Sequence, residues 1–206
     1  GLSIIGVIAV HCAQVLPTNI NFINYLASLG RFGVQTFYFL SALTMCHLWE
    51  KNKNENSYKV FYIKRFIKIV PFYWIAMVIY FLSNNCNGPF FNELLVNLTL
   101  MQGFWPEETC FVPGGFAIGV LVNFYIIFPF VISKLKNRTN IYLFSAIAIW
   151  IFNIFLFKNF IISLLSSSNY FNQSDIITYF LYINPINQLP IFFLGFYLHL
   201  ILKSGY

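Results

Sequence analysis

His11 is the one ionisable side chain in GLSIIGVIAVHCAQVL, the apolar run that opens the sequence. Histidine titrates near neutral pH and can take up or relay a proton. An ionisable group inside a membrane-length apolar run is costly and points to function by default. A neutral histidine donating one hydrogen bond to a neighbouring helix would fit equally well, and the residues alone leave both readings open. Gln14 is the other strongly polar side chain there. The second feature is 51–71, KNKNENSYKVFYIKRFIKIVP, which holds half of the chain's twelve Lys and Arg. Its later part interleaves Lys64, Arg65 and Lys68 with aromatic and aliphatic residues. Such a cluster is either a loop held on the cytoplasmic side by the positive-inside rule or a site for an anionic ligand at the membrane surface. Ser41, with Gln35 and Thr36 before it, could form a polar patch, although Ser and Thr in membrane helices commonly serve as interhelical bonds. His47 and His199 read as interfacial. The four cysteines fit no metal or redox spacing, so no metal site is expected; Cys86 and Cys110 fall on one side of the membrane and could pair as a disulfide.

These groups must be positioned by apolar helices. Of 206 residues, 59% are hydrophobic and 9% charged, against about 25% charged in soluble domains. The net charge of +6 sits in short segments between apolar runs, which argues against a nucleic-acid partner and for a lipid bilayer. Runs long enough to cross, or surviving parts of such runs, lie at 1–16, 32–49, 66–82, 114–132, 141–165 and 189–202. The stretch 93–104 is too short for the roughly 17–25 residues of a span. If 51–68 and 134–138 share the cytoplasmic side, two spans lie between them, and 93–104 stays outside as an interfacial or re-entrant piece. Backbone groups in lipid must be satisfied within the chain. The expected fold is therefore all-α: a polytopic transmembrane helical bundle of about six spans with short interfacial helices. The sequence opens inside an apolar run with no flank, so 1–206 reads as a single membrane domain truncated at its N-terminus and at its C-terminus.

Several stretches together resemble one family, the integral membrane O-acyltransferases of acyltransferase family 3. Its first motif is an Arg, ten residues, then a His. His11 matches the His, and the Arg would immediately precede Gly1. Eleven residues of helix place such a pair only about 20° apart around the axis and roughly 16 Å along it. The second motif, GV-x-x-FFxLS, is matched by Gly33 to Ser41. The third, F-x-x-R-R-x-x-R-I-x-P, is matched by Phe61 to Pro71 with Lys64 and Lys68 in place of Arg, which keeps the charge but loses the bidentate fork. The fourth, GGWSIGVEMQFYLIFP, is matched by Gly114 to Pro129, a segment containing Asn123 and Tyr125. There Phe116, Ala117 and Leu121 replace the usual Trp, Ser and Glu. A weaker fifth match is NQLPIFFLG at 187–195.

The resemblance implies transfer of an acetyl or other short acyl group from acyl-CoA, as donor substrate rather than bound cofactor, to a hydroxyl of a cell-surface carbohydrate or glycolipid. It implies an integral protein of the bacterial plasma membrane. His11 would be the general base or the acyl relay. Lys64, Arg65 and Lys68 would bind the CoA phosphates, with Phe61 and Tyr62 against the adenine, and Ser41, Asn123 and Tyr125 would line the site. Leu121 can neither orient a histidine nor hold a proton, so a degenerate member without catalysis is the alternative. A small-molecule transporter is the reading from another class; it calls for paired ionisable groups within the spans, which the sequence scarcely offers.

Overall fold

The computed structural model describes residues 2–15, 25, 29–30, 32–51, 57–83, 91–105, 110–135, 138–166 and 174–205. Helix α1 spans Leu2–Val15, α2 Phe32–Lys51, α3 Ser57–Ser83, α4 Phe91–Leu98, α5 Gly115–Lys134 and α6 Thr139–Phe152. A π-helical turn, Asn153–Phe157, carries α6 into α7, Lys158–Ser166; α8 is Ser174–Ile183 and α9 Pro185–Ser204. There is no strand among the described residues. Among the described residues, four helical segments are long and apolar enough to cross a bilayer: Tyr58–Ser83, Gly115–Lys134, Thr139–Leu164 and Ile177–Ser204.

Six spans were expected and four qualify. The α1 helix has 14 residues, short of the roughly 17–25 that a crossing needs. The α2 helix has the length, 20 residues, but Gln35, Thr36, Ser41, Thr44 and His47 dilute its apolar character. The basic stretch also differs from expectation. From Ser57 onward it is helix rather than loop, and α3 runs through Pro71 without a break for 27 residues. Charged turns of a helix look like loop in sequence when they adjoin an apolar run. The piece at 93–104 behaves as expected and is too short to cross: one eight-residue helix and a single 3-10 turn at Gln102–Phe104.

Helix α9 sits at the centre, packed against α6, α2 and α5, while α3 lies on α5 and α1 on α2. Its start is set by Asn184, whose Oδ1 accepts from the Ile186 amide at 2.9 Å, with Pro185 in the first turn, where its missing N–H costs nothing. The core between α2, α5 and α9 is aromatic. Phe124 stacks on Phe192 at 3.6 Å between ring centroids, Tyr38 on Phe192 at 5.2 Å, and Phe196 meets Phe128 at 5.4 Å. Gly195 lets α9 approach α2: a Cβ there would lie 2.6 Å from that of Ala42 and 2.8 Å from the Phe39 carbonyl oxygen.

At the other end of the bundle from Lys134 and Lys203, buried amides hold the short non-crossing segment. Asn97 is fully buried; its Oδ1 accepts from the Tyr73 hydroxyl at 2.9 Å and the Phe111 amide at 3.1 Å. Gln102 donates to the Gly115 carbonyl at 3.0 Å, and Asn184 to that of Gly103 at 3.0 Å. Irregular backbone at membrane depth is tolerated only where protein supplies such partners.

Candidate functional site: a cationic cleft at the α2–α3 corner

The C-terminal end of α2 and the N-terminal half of α3 meet in a cleft of about 360 Å³, lined by Trp49, Lys51, Phe61, Lys64, Arg65 and Lys68 among others. Trp49 makes the corner. Its ring meets Tyr58, Phe61 and Phe128 edge-on at 5.4, 5.7 and 5.8 Å, clamping α3 to α2 and α5 at once. Lys64 and Lys68, four residues apart, share a helix face and are exposed. Arg65 is half-buried, its guanidinium 5.9 Å from the centroid of Phe61 and 5.6 Å from that of Tyr125. Such cation–π contacts contribute about 0.5–2 kcal/mol and fix the direction of this one cation. The cleft thus presents one held guanidinium and three lysines.

Two expected contacts take a different form. Phe61 is 8% exposed, and its faces meet Phe128, stacked at 5.2 Å, and the Arg65 guanidinium. The Tyr62 hydroxyl donates to the Ile126 carbonyl at 2.7 Å, tying α3 to α5. Phe61 has both faces occupied and Tyr62 does not line the cleft, whereas Trp49 does. Lys51 and Trp49 were not picked out as site residues from sequence. Lys51 lies thirteen positions before Lys64, with no shared periodicity. Only the return of the chain between two adjacent helices, α2 and α3, brings the two lysines together.

Beside the cleft, Glu50 receives Lys203 Nζ at 2.7 Å and lies 3.5 Å from His199 Nε2, linking the ends of α2 and α9. Burial alone would raise the Glu50 carboxyl. The Lys203 ammonium, by hydrogen bond and charge, and then His199 hold it below the ordinary carboxylate value. Glu50 is thereby engaged away from Lys51. His47 is exposed.

The remaining sequence candidates are distributed. Tyr125 is buried under Arg65. Leu121, one turn earlier, is 3% exposed within the apolar core, with Ala117 packed against the same cluster. Ser41 is half-buried on α2. Asn123 faces away from the cleft; its amide donates to the Leu100 and Gly119 carbonyls at 3.0 and 2.9 Å. Gly119 is needed there, because a Cβ would meet Gln102 Nε2 at 2.9 Å and the Leu100 oxygen at 3.0 Å. Asn123 also lines a second, apolar cavity of about 430 Å³. His11 lies on α1, which packs on α2; its side chain is outside the described residues. So is Cys86, the expected partner of Cys110. The Cys110 thiol is free, and burial, opposed by hydrogen bonds from Tyr179 and Phe116, pushes it up to about 11.

A helical membrane bundle with a cationic cleft at one end of its spans is the class that fold and site define. The family model described as "Acyltransferase domain" matches residues 1–205. The chain belongs to this family, acyltransferase family 3, and is an integral membrane acyltransferase by membership. No curated protein and no solved structure matches it.

Proposed function

We propose that this chain is the membrane domain of an O-acyltransferase that takes an acetyl or other short acyl group from acyl-CoA at the cationic cleft and passes it to a hydroxyl of a cell-surface carbohydrate or glycolipid. The reading places it in a bacterial plasma membrane with six crossings, α1 and α2 included, and the cleft on the cytoplasmic side, where CoA thioesters are. The single observation that carries it is the convergence of Lys51, Lys64, Arg65 and Lys68 on one cleft beside Trp49. A CoA donor offers phosphates to the cations and an adenine to the indole. Arginine suits phosphate through its planar fork, and Arg65 is the one of the four held by two rings.

In this reading His11 removes the proton of the acceptor hydroxyl. The oxygen attacks the thioester carbonyl, the C–S bond breaks, and the proton returns to the departing CoA sulfur. A relay of the acyl group through His11 balances equally. Acyl transfer from radiolabelled acetyl-CoA to endogenous acceptors, measured in membranes containing the full-length protein, tests it. Label should enter the membrane fraction, vanish with His11→Ala and fall with Arg65→Ala. Label incorporation indifferent to both changes would refute it.

The alternative, a member that binds donor without catalysis, is favoured by Leu121. Its side chain lies in packed apolar core, where an ionised carboxylate would be strongly penalised. Donor binding with no transfer to any membrane acceptor would select this alternative.

A further inference from the structure

The apolar cavity between the Gln102–Phe104 turn, α5 and α9 has no part in the donor chemistry. Its volume of about 430 Å³ falls in the roughly 300–1,000 Å³ range of small-molecule sites. Its deep wall is Val120, Phe124 and Phe192, essentially inaccessible, while Met101, Ile126 and Ile127 at its rim are exposed. It is therefore an indentation into the bundle rather than a stretch of lipid-facing surface.

Helix rise gives its depth. Asn123 lies eleven residues before Lys134, about 16 Å along α5, which is close to the middle of a hydrocarbon layer of about 30 Å. On the facing wall, Pro185 lies eighteen residues before Lys203, about 27 Å along α9. The cavity runs from mid-bilayer towards the leaflet opposite the cationic cleft, and its exposed rim faces hydrocarbon.

Its shape is held in place. Asn123 and Asn184 each donate to a carbonyl of the 100–103 turn at 3.0 Å, and Gln102 anchors the same turn to α5. Leu100 sits at φ 61°, a left-handed conformation that a leucine keeps only where its surroundings over-determine it. Asn123 supplies the lining's side-chain amide, and both its N–H groups are engaged with carbonyls. Apart from the Asn123 amide oxygen, the lining side chains offer a sugar or charged group nothing in exchange for its lost water; an alkyl chain would lose nothing.

We infer that this cavity seats an alkyl chain of a lipid from the leaflet opposite the cleft. Phe192, buried behind the cavity, stacks on Tyr38 of the 33–41 segment of α2.

The test uses the full-length protein in phosphatidylglycerol vesicles containing a trace of phospholipid with a diazirine on its acyl chain. Irradiation and peptide mapping should label Phe104, Ile126 and Leu189 about fivefold more than the exposed Phe144 and Phe155, a preference of about 1 kcal/mol. Leu189→Trp, which fills the cavity, should abolish that excess while acetyl-CoA affinity is unchanged; the rim change Ile127→Trp gives the same readout if the first variant fails to fold. Uniform labelling, or an excess that survives both changes, overturns the seat. Acetyl-CoA binding with uniform labelling removes the seat alone. Selective labelling without acetyl-CoA binding removes the donor reading and leaves the seat standing.

Discussion

Arg65 should contribute more to donor affinity than any of the three lysines around it, because it is the cation whose position is fixed. Its guanidinium lies 5.9 and 5.6 Å from the Phe61 and Tyr125 centroids, so little side-chain freedom remains to be lost on binding. A hydrogen bond to a charged group contributes about 1.5–3 kcal/mol. At 1.4 kcal/mol per decade, Arg65→Ala should therefore weaken binding roughly 10- to 150-fold. Lys64 and Lys68 are exposed, where ion pairs contribute only about 0.2–1 kcal/mol. Each lysine-to-alanine change should cost about fivefold at most. Arg65→Lys should fall between, keeping the charge but losing the fork and the ring stacking. The assay is calorimetric titration of acetyl-CoA into the nanodisc-embedded full-length protein at two salt concentrations. Raising ionic strength from about 0.01 to 0.15 M shortens the Debye length from about 30 to 8 Å, so the lysine contributions should shrink and that of Arg65 persist. A lysine change costing more than Arg65→Ala, or affinity unmoved by all four, would refute the reasoning.

Two further outcomes follow from the packing. Gly195→Ala forces a Cβ to within 2.6 Å of that of Ala42; overpacking of this kind costs about 1–3 kcal/mol. It should lower the thermal midpoint in detergent, with partial recovery on adding Ala42→Gly. The Glu50 carboxyl is held below its ordinary value by Lys203 and His199 against the effect of burial. The stability it lends is therefore complete above the unfolded carboxylate pKa of about 4.3 and is lost as pH falls through the lower folded value. Glu50 is 31% and Lys203 50% exposed, so the effect should stay under about 1 kcal/mol. Below pH 4.5 wild-type melting should converge on that of Glu50→Gln; a constant gap between the two would contradict the linkage.

The crossing segments were legible because an apolar run in lipid has one way to satisfy its backbone. The expected span at 114–132 became Gly115–Lys134, and 141–165 became the continuous helical segment from Thr139. The helical state of 57–65 was not legible, since a run of cations and tyrosines gives no apolar periodicity to read. In the site, the cluster Lys64, Arg65 and Lys68 was visible as composition, whereas Lys51 and Trp49 join it only through tertiary contact. The amides that hold the 98–104 segment were hidden for the same reason. Asn97, Gln102 and Asn184 are isolated polar residues in sequence, and their partners, Tyr73, Gly115 and Gly103, lie 13 to 81 positions away. Phe61 and Tyr62 misled because an aromatic beside a cation in sequence can as well be core as ligand platform.

The most direct test of the central claim is where a bound donor touches the chain. An acyl-CoA analogue with a photoreactive adenine, irradiated on the full-length protein in its membrane, should label peptides within 48–68. Excess acetyl-CoA should compete the label away, and Arg65→Ala should reduce it. Label that concentrates instead at a separate depression lined by Arg138, Thr139, Asn140 and Ile141, or that acetyl-CoA does not displace, would contradict a donor site at the α2–α3 corner.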